Sequence, residues 1–145
     1  MSATIKIVTD ATCRAAKPGF KGKAVGAATF YDDNGEKVIV EEYNLGEMIA
    51  YGSECETVLR ALDAASGITR GRVEVWSDSE SLVRHMNGVY RLKSNLSREY
   101  FDKLKAMAHR FESVDYFHHD RTTKLGRNAH SAADLAFSRI HNRAE

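Results

Sequence analysis

The chain has 145 residues, 43% of them hydrophobic and 28% charged, with a formal net charge of +1. That length can bury one core, and the balance excludes disordered and collagen-like chains. No apolar run is long enough to span a bilayer, and "MSATIKIVTD" lacks the basic-then-apolar order of a signal peptide, so a single domain over 1–145 without a membrane partner is expected.

Along the chain, "TIKIVTD" (4–10) predicts a β-strand ending at Asp10, followed by a basic stretch with Arg14, Lys17, Lys21 and Lys23. "AVGAATFY" (24–31) and "EKVIVEEYNL" (36–45) flank "DDNG", whose Asn34-Gly35 pair is a hairpin signal. The domain therefore opens with antiparallel strands rather than βαβ units. Ser53, with Glu56 three residues on, predicts a capped helix start, and the stripe Cys55, Val58, Leu59, Leu62 carries that helix to about Gly67. "RVEVWS" (72–77) predicts a fourth strand with Val73 and Val75 on one face and Trp76 on the other. A short helix over about 80–87 stops at Asn87-Gly88, a usual helix-ending pair. A longer helix (about 97–111), a fifth strand "VDYFH" (114–118) and a last helix (about 130–141) complete the order. The fold class expected is α/β: a mixed five-stranded sheet, antiparallel at its opening hairpins and flanked by helices. Cys13 and Cys55 have no metal-ligand spacing and read as reduced thiols of a cytoplasmic protein, expected as a monomer.

The acids fall at informative places. Asp10 ends the first strand, Asp78 ends the fourth, Glu54 opens the helix after the hairpins, and Asp134 lies on the last helix. If the first and fourth strands are neighbours, their carboxyl ends meet and the helices bring the other two acids there. Clustered carboxylates repel unless a cation joins them, and hard oxygen donors suit Mg²⁺ or Mn²⁺. Each acid also has a plainer reading: Asp78 can cap the helix it precedes, and Asp10 can be a loop aspartate. Glu54 and Glu56 separate by helical geometry. Glu56 shares the solvent side with Arg60 and Asp63, whereas Glu54 lies with Val58, Ala61 and Ala65 on the inward edge.

These residues resemble ribonuclease H, type 1. "VEVWSDSESLVRHMNGVYRLK" (73–93) is similar to the family's fourth strand and following helix, and "MNGVYRLKSNLS" to members lacking the basic protrusion, archaeal and bacterial forms among them. "IVTDATCRAAKPG" resembles the opening strand and its loop, "SECETVLRALDAA" the helix that carries the family's glutamate, and "VDYFHHDR" the fifth strand with its trailing His-x-x-Arg. The resemblance implies that Asp10, Glu54 and Asp78 are catalytic, metal-binding acids. The fourth position lies in "NAHSAADLAF": an anionic oxygen suits Mg²⁺ better than imidazole and favours Asp134, with His130 one turn earlier as the alternative. Arg84, Lys93 and Arg98 are the expected phosphate contacts. Two departures stand out. Ala11 replaces the glycine usual after the first aspartate, and "AYGS" (50–53) replaces a polar stretch that reaches the hybrid minor groove, leaving Tyr51 and Ser53 as substitutes. The implied activity is two-metal-ion hydrolysis of RNA in an RNA–DNA hybrid. A non-catalytic nucleic-acid-binding module on the same fold is the alternative.

Overall fold

The computed structural model describes residues 4–119 together with Leu135 and Ile140. Five strands, β1 (Ile5–Arg14), β2 (Gly22–Tyr31), β3 (Lys37–Met48), β4 (Arg72–Ser77) and β5 (Ser113–His118), form one sheet in the order β3-β2-β1-β4-β5. β1 pairs antiparallel with β2, and β2 with β3, while β1–β4 and β4–β5 are parallel. Helix α1 (Ala50–Ser66) joins β3 to β4, and α2 (Glu80–Met86) and α3 (Asn95–Ala108) join β4 to β5. This is the mixed sheet expected. The last predicted helix falls outside the described residues, except that Leu135 and Ile140 are helical and Ile140 packs on buried Val25. No described helix is long and apolar enough to cross a membrane.

Period-two alternation builds the core. Ile5 and Ile7 of β1, Ala28 and Phe30 of β2, and Val73 and Val75 of β4 meet Val58, Leu62 and Ala65 of α1, with Leu82 and Leu104 closing the ends. Burying each large aliphatic side chain contributes about 1.5–3 kcal/mol, so this layer fixes α1 on the sheet. Trp76 faces the other way as predicted, stacked on Phe117 with ring centroids 4.8 Å apart.

The β2–β3 hairpin connection is a three-residue loop closed by Asp32 N–H on Glu36 O at 2.9 Å, with Gly35 at φ +77°. That left-handed position is where glycine is needed.

Several element boundaries differ from expectation: β3 runs on to Met48 rather than 45, α3 covers Asn95–Ala108 rather than about 97–111, and two further differences bear on the site. β1 does not end at Asp10 but continues to Arg14, because β2 goes on pairing with it as far as Arg14↔Lys23 after β4 has stopped. α1 starts at Ala50 rather than Ser53, and its N-cap Ile49 makes no side-chain capping bond. Ser53 is buried inside the first turn and donates its hydroxyl to Ala50 O at 2.6 Å, so the Ser53/Glu56 capping box does not form. The cause is packing: a Cβ on Gly26 of β2 would overlap the Thr57 side chain, so α1 lies hard against the sheet there. Direct helix–sheet contact overrides the local capping preference.

Candidate metal centre

The last parallel pair between β1 and β4 is Thr9↔Ser77. The next residue on each strand is therefore Asp10 and Asp78, side by side where the two ladders part. Asp10 is fully buried, its Oδ1 accepting the N–H of Ala11 at 2.9 Å. Asp78 is half-buried and is not a helix cap: Ser79 takes that position, its Oγ accepting the Leu82 N–H at 3.3 Å. The capping explanation of Asp78 is thereby removed. From α1, one turn before the Thr57 contact, Glu54 completes the group. One carboxylate oxygen from each of Asp10, Glu54 and Asp78 lies within 4.8 Å of the others, the one such cluster of His, Cys, Asp and Glu among the described residues.

Three like charges at that separation repel strongly in a partly buried setting, and a cation is the simplest compensation. The donor set fits a metal ion. A cleft of about 440 Å³ opens over it, bordered by Ala11, Thr12, Cys13, Tyr51 and Ser79. Cys13 offers no thiolate there: its Sγ donates to Met48 O at 3.2 Å. Burial, opposed by a backbone hydrogen bond from Gly22 and reinforced by the charge of Glu54, pushes that thiol up. The cleft is thus one of hard oxygen donors.

Two histidines that the sequence reading left without a role brace this end of the sheet. His118 Nε2 pairs with the carbonyl of Asp78 at 3.2 Å, and buried His119 pairs through Nε2 with Thr9 O at 3.1 Å while its backbone N–H donates to Ser77 O at 3.0 Å. A carbonyl only accepts, so both rings carry a proton on Nε2 in these pairings. The two rings clamp the backbone next to both aspartates. The His-His pair at the end of β5 was the available signal, but its partners lie 40 and 110 residues away.

A second hollow of about 650 Å³ adjoins the first, with Tyr51 and Ser81 common to both. The Tyr51 hydroxyl sits 2.8 Å from His85 Nδ1, and the rings meet edge to face at 5.5 Å. Burial, with Cys55 beside it, pushes the Tyr51 phenol up, so it stays neutral. Arg91 and Lys93 line this groove. Of the three cations expected at phosphates, Lys93 lies there. Arg84 pairs with Glu80 at 2.8 Å and lies over the Tyr90 ring, and Arg98 is exposed in the first turn of α3. Asp134 and His130 lie outside the described residues.

A family model described as reverse transcriptase-like matches residues 10–136, from the first aspartate to just past Asp134. The chain belongs to the reverse transcriptase-like family. Its fold is that of ribonuclease H. The ribonuclease H1 of the halophilic archaeon Halobacterium salinarum superposes with a TM-score of 0.83 at 18% identity, over 94% of this chain and 98% of that one. A ribonuclease H1 isolated from compost, solved in complex with an RNA/DNA hybrid, gives 0.82 at 26% identity with the same coverages. The N-terminal ribonuclease H domain of a Mycobacterium tuberculosis protein gives 0.79 at 21% identity, over 96% and 99%. No curated protein matches the sequence. The clustered acids and this ribonuclease H-like domain together suggest a nuclease active site.

Proposed function

We propose that this reverse transcriptase-like domain is an endoribonuclease that hydrolyses the RNA strand of RNA–DNA hybrids. The observation that carries the reading is the meeting of Asp10, Glu54 and Asp78 from β1, α1 and the end of β4 within 4.8 Å. A fold neighbour solved with an RNA/DNA hybrid supports the choice of substrate.

Asp10, Glu54 and Asp78 would hold Mg²⁺ or Mn²⁺, with Asp134, or His130 in its place, as the fourth ligand. When bound, such ions supply a water reactive at neutral pH and offset charge developing on the phosphodiester oxygens. The protein's own residues do the rest. His118 and His119 fix the backbone that carries the aspartates, so the ligand oxygens are held in place before substrate arrives. Lys93 and Arg91 neutralise phosphates of a strand lying in the adjoining groove, positioning it without reading its sequence. Arg84 and Arg98 extend the basic surface outward.

In the 50–53 stretch, Ser53 spends its hydroxyl on Ala50 O, so Tyr51 is the side chain left to meet a minor groove. Held by His85 and neutral, its phenol can meet a 2′-hydroxyl as donor or acceptor. Products carrying a 5′-phosphate and a 3′-hydroxyl follow if the family's chemistry holds.

Labelled hybrid, RNA–RNA and DNA duplexes, incubated side by side with Mg²⁺, test the substrate. The RNA strand of the hybrid is expected to be cut, with little cutting of duplex DNA. Equal cutting of both would overturn the assignment.

A further inference from the structure

The β1–β2 connection carries a feature that the carboxylate centre does not use. From Ala11 to Tyr31 the chain holds Arg14, Lys17, Lys21 and Lys23 and no carboxylate. In the middle stands Phe20, 61% exposed, the equal most exposed large hydrophobic side chain in 4–119. A single exposed phenylalanine is ordinary on a protein surface. This one is presented by a built turn: the Phe20 N–H donates to Lys17 O at 3.2 Å across Pro18 and Gly19, and Gly19 has φ +83°. Proline followed by a left-handed glycine is the pattern of a type II turn, and the ring it carries at its exit is exposed.

The position matters as much as the composition. Ala11, Thr12 and Cys13 of β1 border the cleft over the three acids, and the turn follows directly, at the same end of the sheet. At a strand rise of about 3.3 Å per residue, Arg14 stands about 13 Å beyond Asp10, on the order of four nucleotide steps. A ring rimmed by cations in the turn that follows Arg14 matches the chemistry of a single-strand contact, where aromatic faces stack on bases and lysines meet the flanking phosphates.

We propose that the Lys17–Lys23 turn is a second nucleic-acid contact, in which Phe20 stacks on an unpaired base beside the duplex held at the carboxylates. Lys17, Lys21 and Lys23 neutralise the neighbouring phosphates. The inference rests on the nuclease reading for the identity of the duplex, and it makes the protein prefer hybrids that carry a single-stranded flank.

The test is binding in EDTA, followed by fluorescence anisotropy, with a blunt hybrid, the same hybrid carrying an RNA overhang, and phosphatidylserine vesicles. Phe20→Ala should weaken the tailed hybrid by about fivefold or more and the blunt hybrid less. Phe20→Trp, in a Trp76→Phe background, should keep wild-type affinity and lose fluorescence on binding the tail. Lys17→Gln with Lys21→Gln should reduce the slope of log affinity against log salt by about 1.4, the single-strand value for two phosphates. An unchanged affinity in Phe20→Ala, or an unquenched Phe20→Trp, overturns the proposal. Loss of vesicle binding alone in Phe20→Ala makes the turn a membrane contact and overturns it equally. Binding and cutting separate the two readings. A wild type that grips the tail through Phe20 yet never cuts refutes the nuclease reading and supports this one. A wild type that cuts normally while Phe20→Ala binds as tightly does the reverse.

Discussion

The sheet carries carboxylates at both ends, and the two groups differ in what their oxygens serve. At one end Asp32, Asp33 and Glu74 surround a hollow of about 330 Å³. Asp32 Oδ1 accepts the N–H groups of Asn34 and Glu36, Asp33 accepts that of Thr4, and Glu74 accepts the Trp76 indole N–H. These acids each serve N–H donors of a turn, a strand start or a ring, and they do not form a metal-sized cluster. At the other end Asp10, Glu54 and Asp78 come from three separate elements and bring one oxygen each within 4.8 Å. Asp10 also accepts a neighbouring N–H, from Ala11, so hydrogen bonding alone does not separate the two ends; the clustering does. Convergence from distant parts of the chain, at a cost in repulsion, marks a site that expects a cation.

Substitution should separate the two ends most sharply in turnover. Glu54→Gln is expected to lower hybrid cleavage by roughly a hundredfold or more, the usual scale for losing a charge-stabilising group. Glu56→Gln and Asp32→Asn should leave it largely intact. If Glu56→Gln were the inactive variant in a folded protein, the facing of α1 toward the site would be wrong. At the proposed fourth ligand position, Asp134→Asn is expected to cost about a hundredfold with partial rescue by Mn²⁺, and His130→Ala less. The opposite ranking would place the fourth ligand one turn earlier.

Thermal melts sharpen the comparison further. Millimolar Mn²⁺ should raise the wild-type Tm, by linkage worth about 2.7 kcal/mol at a hundred times Kd. The Asp10→Asn, Asp78→Asn double variant should lose that response and melt higher than wild type without metal, because the repulsion is gone. Asp32→Ala should instead lose about 1 kcal/mol with or without metal, since two turn N–H groups lose their acceptor. The smallest effect concerns alkaline pH. Burial, outweighing the Tyr51 hydrogen bond, raises the Cys55 thiol from 9.0 to about 12, and burial with Glu56 nearby raises Tyr100 from 10.0 to about 12. The unfolded chain releases these protons first, so their stabilisation is complete below pH 9 and is lost as pH rises toward 12. Urea melts across that range should show a falling midpoint.

The sheet was legible because its signals are local: alternation in "IKIV" and "VEVW", the Asn34-Gly35 turn, and apolar stripes on the helices. Strand ends were not, because the end of β1 is set by how far β2 continues beside it. The start of α1 was misread for a similar reason. Ser53 and Glu56 satisfy a capping pattern, but the fit of Thr57 over Gly26 decides where the helix lies. The placing of Glu54 on the inward edge survived that error, since facing depends on helical period and not on the first residue. The bracing role of His118 and His119 was not legible because their partners are remote in sequence, and only the folded chain brings Thr9 and Asp78 to them.

Cleavage of a hybrid labelled on its RNA strand, with and without divalent metal, tests the central claim most directly. The wild type should cut internally in Mg²⁺ or Mn²⁺, stop in EDTA and resume when metal is restored in excess, while the Asp10→Asn, Asp78→Asn variant binds hybrid but stays inactive. Cutting that survives EDTA, or a wild type that binds hybrid but cuts it with neither Mg²⁺ nor Mn²⁺, would contradict the account.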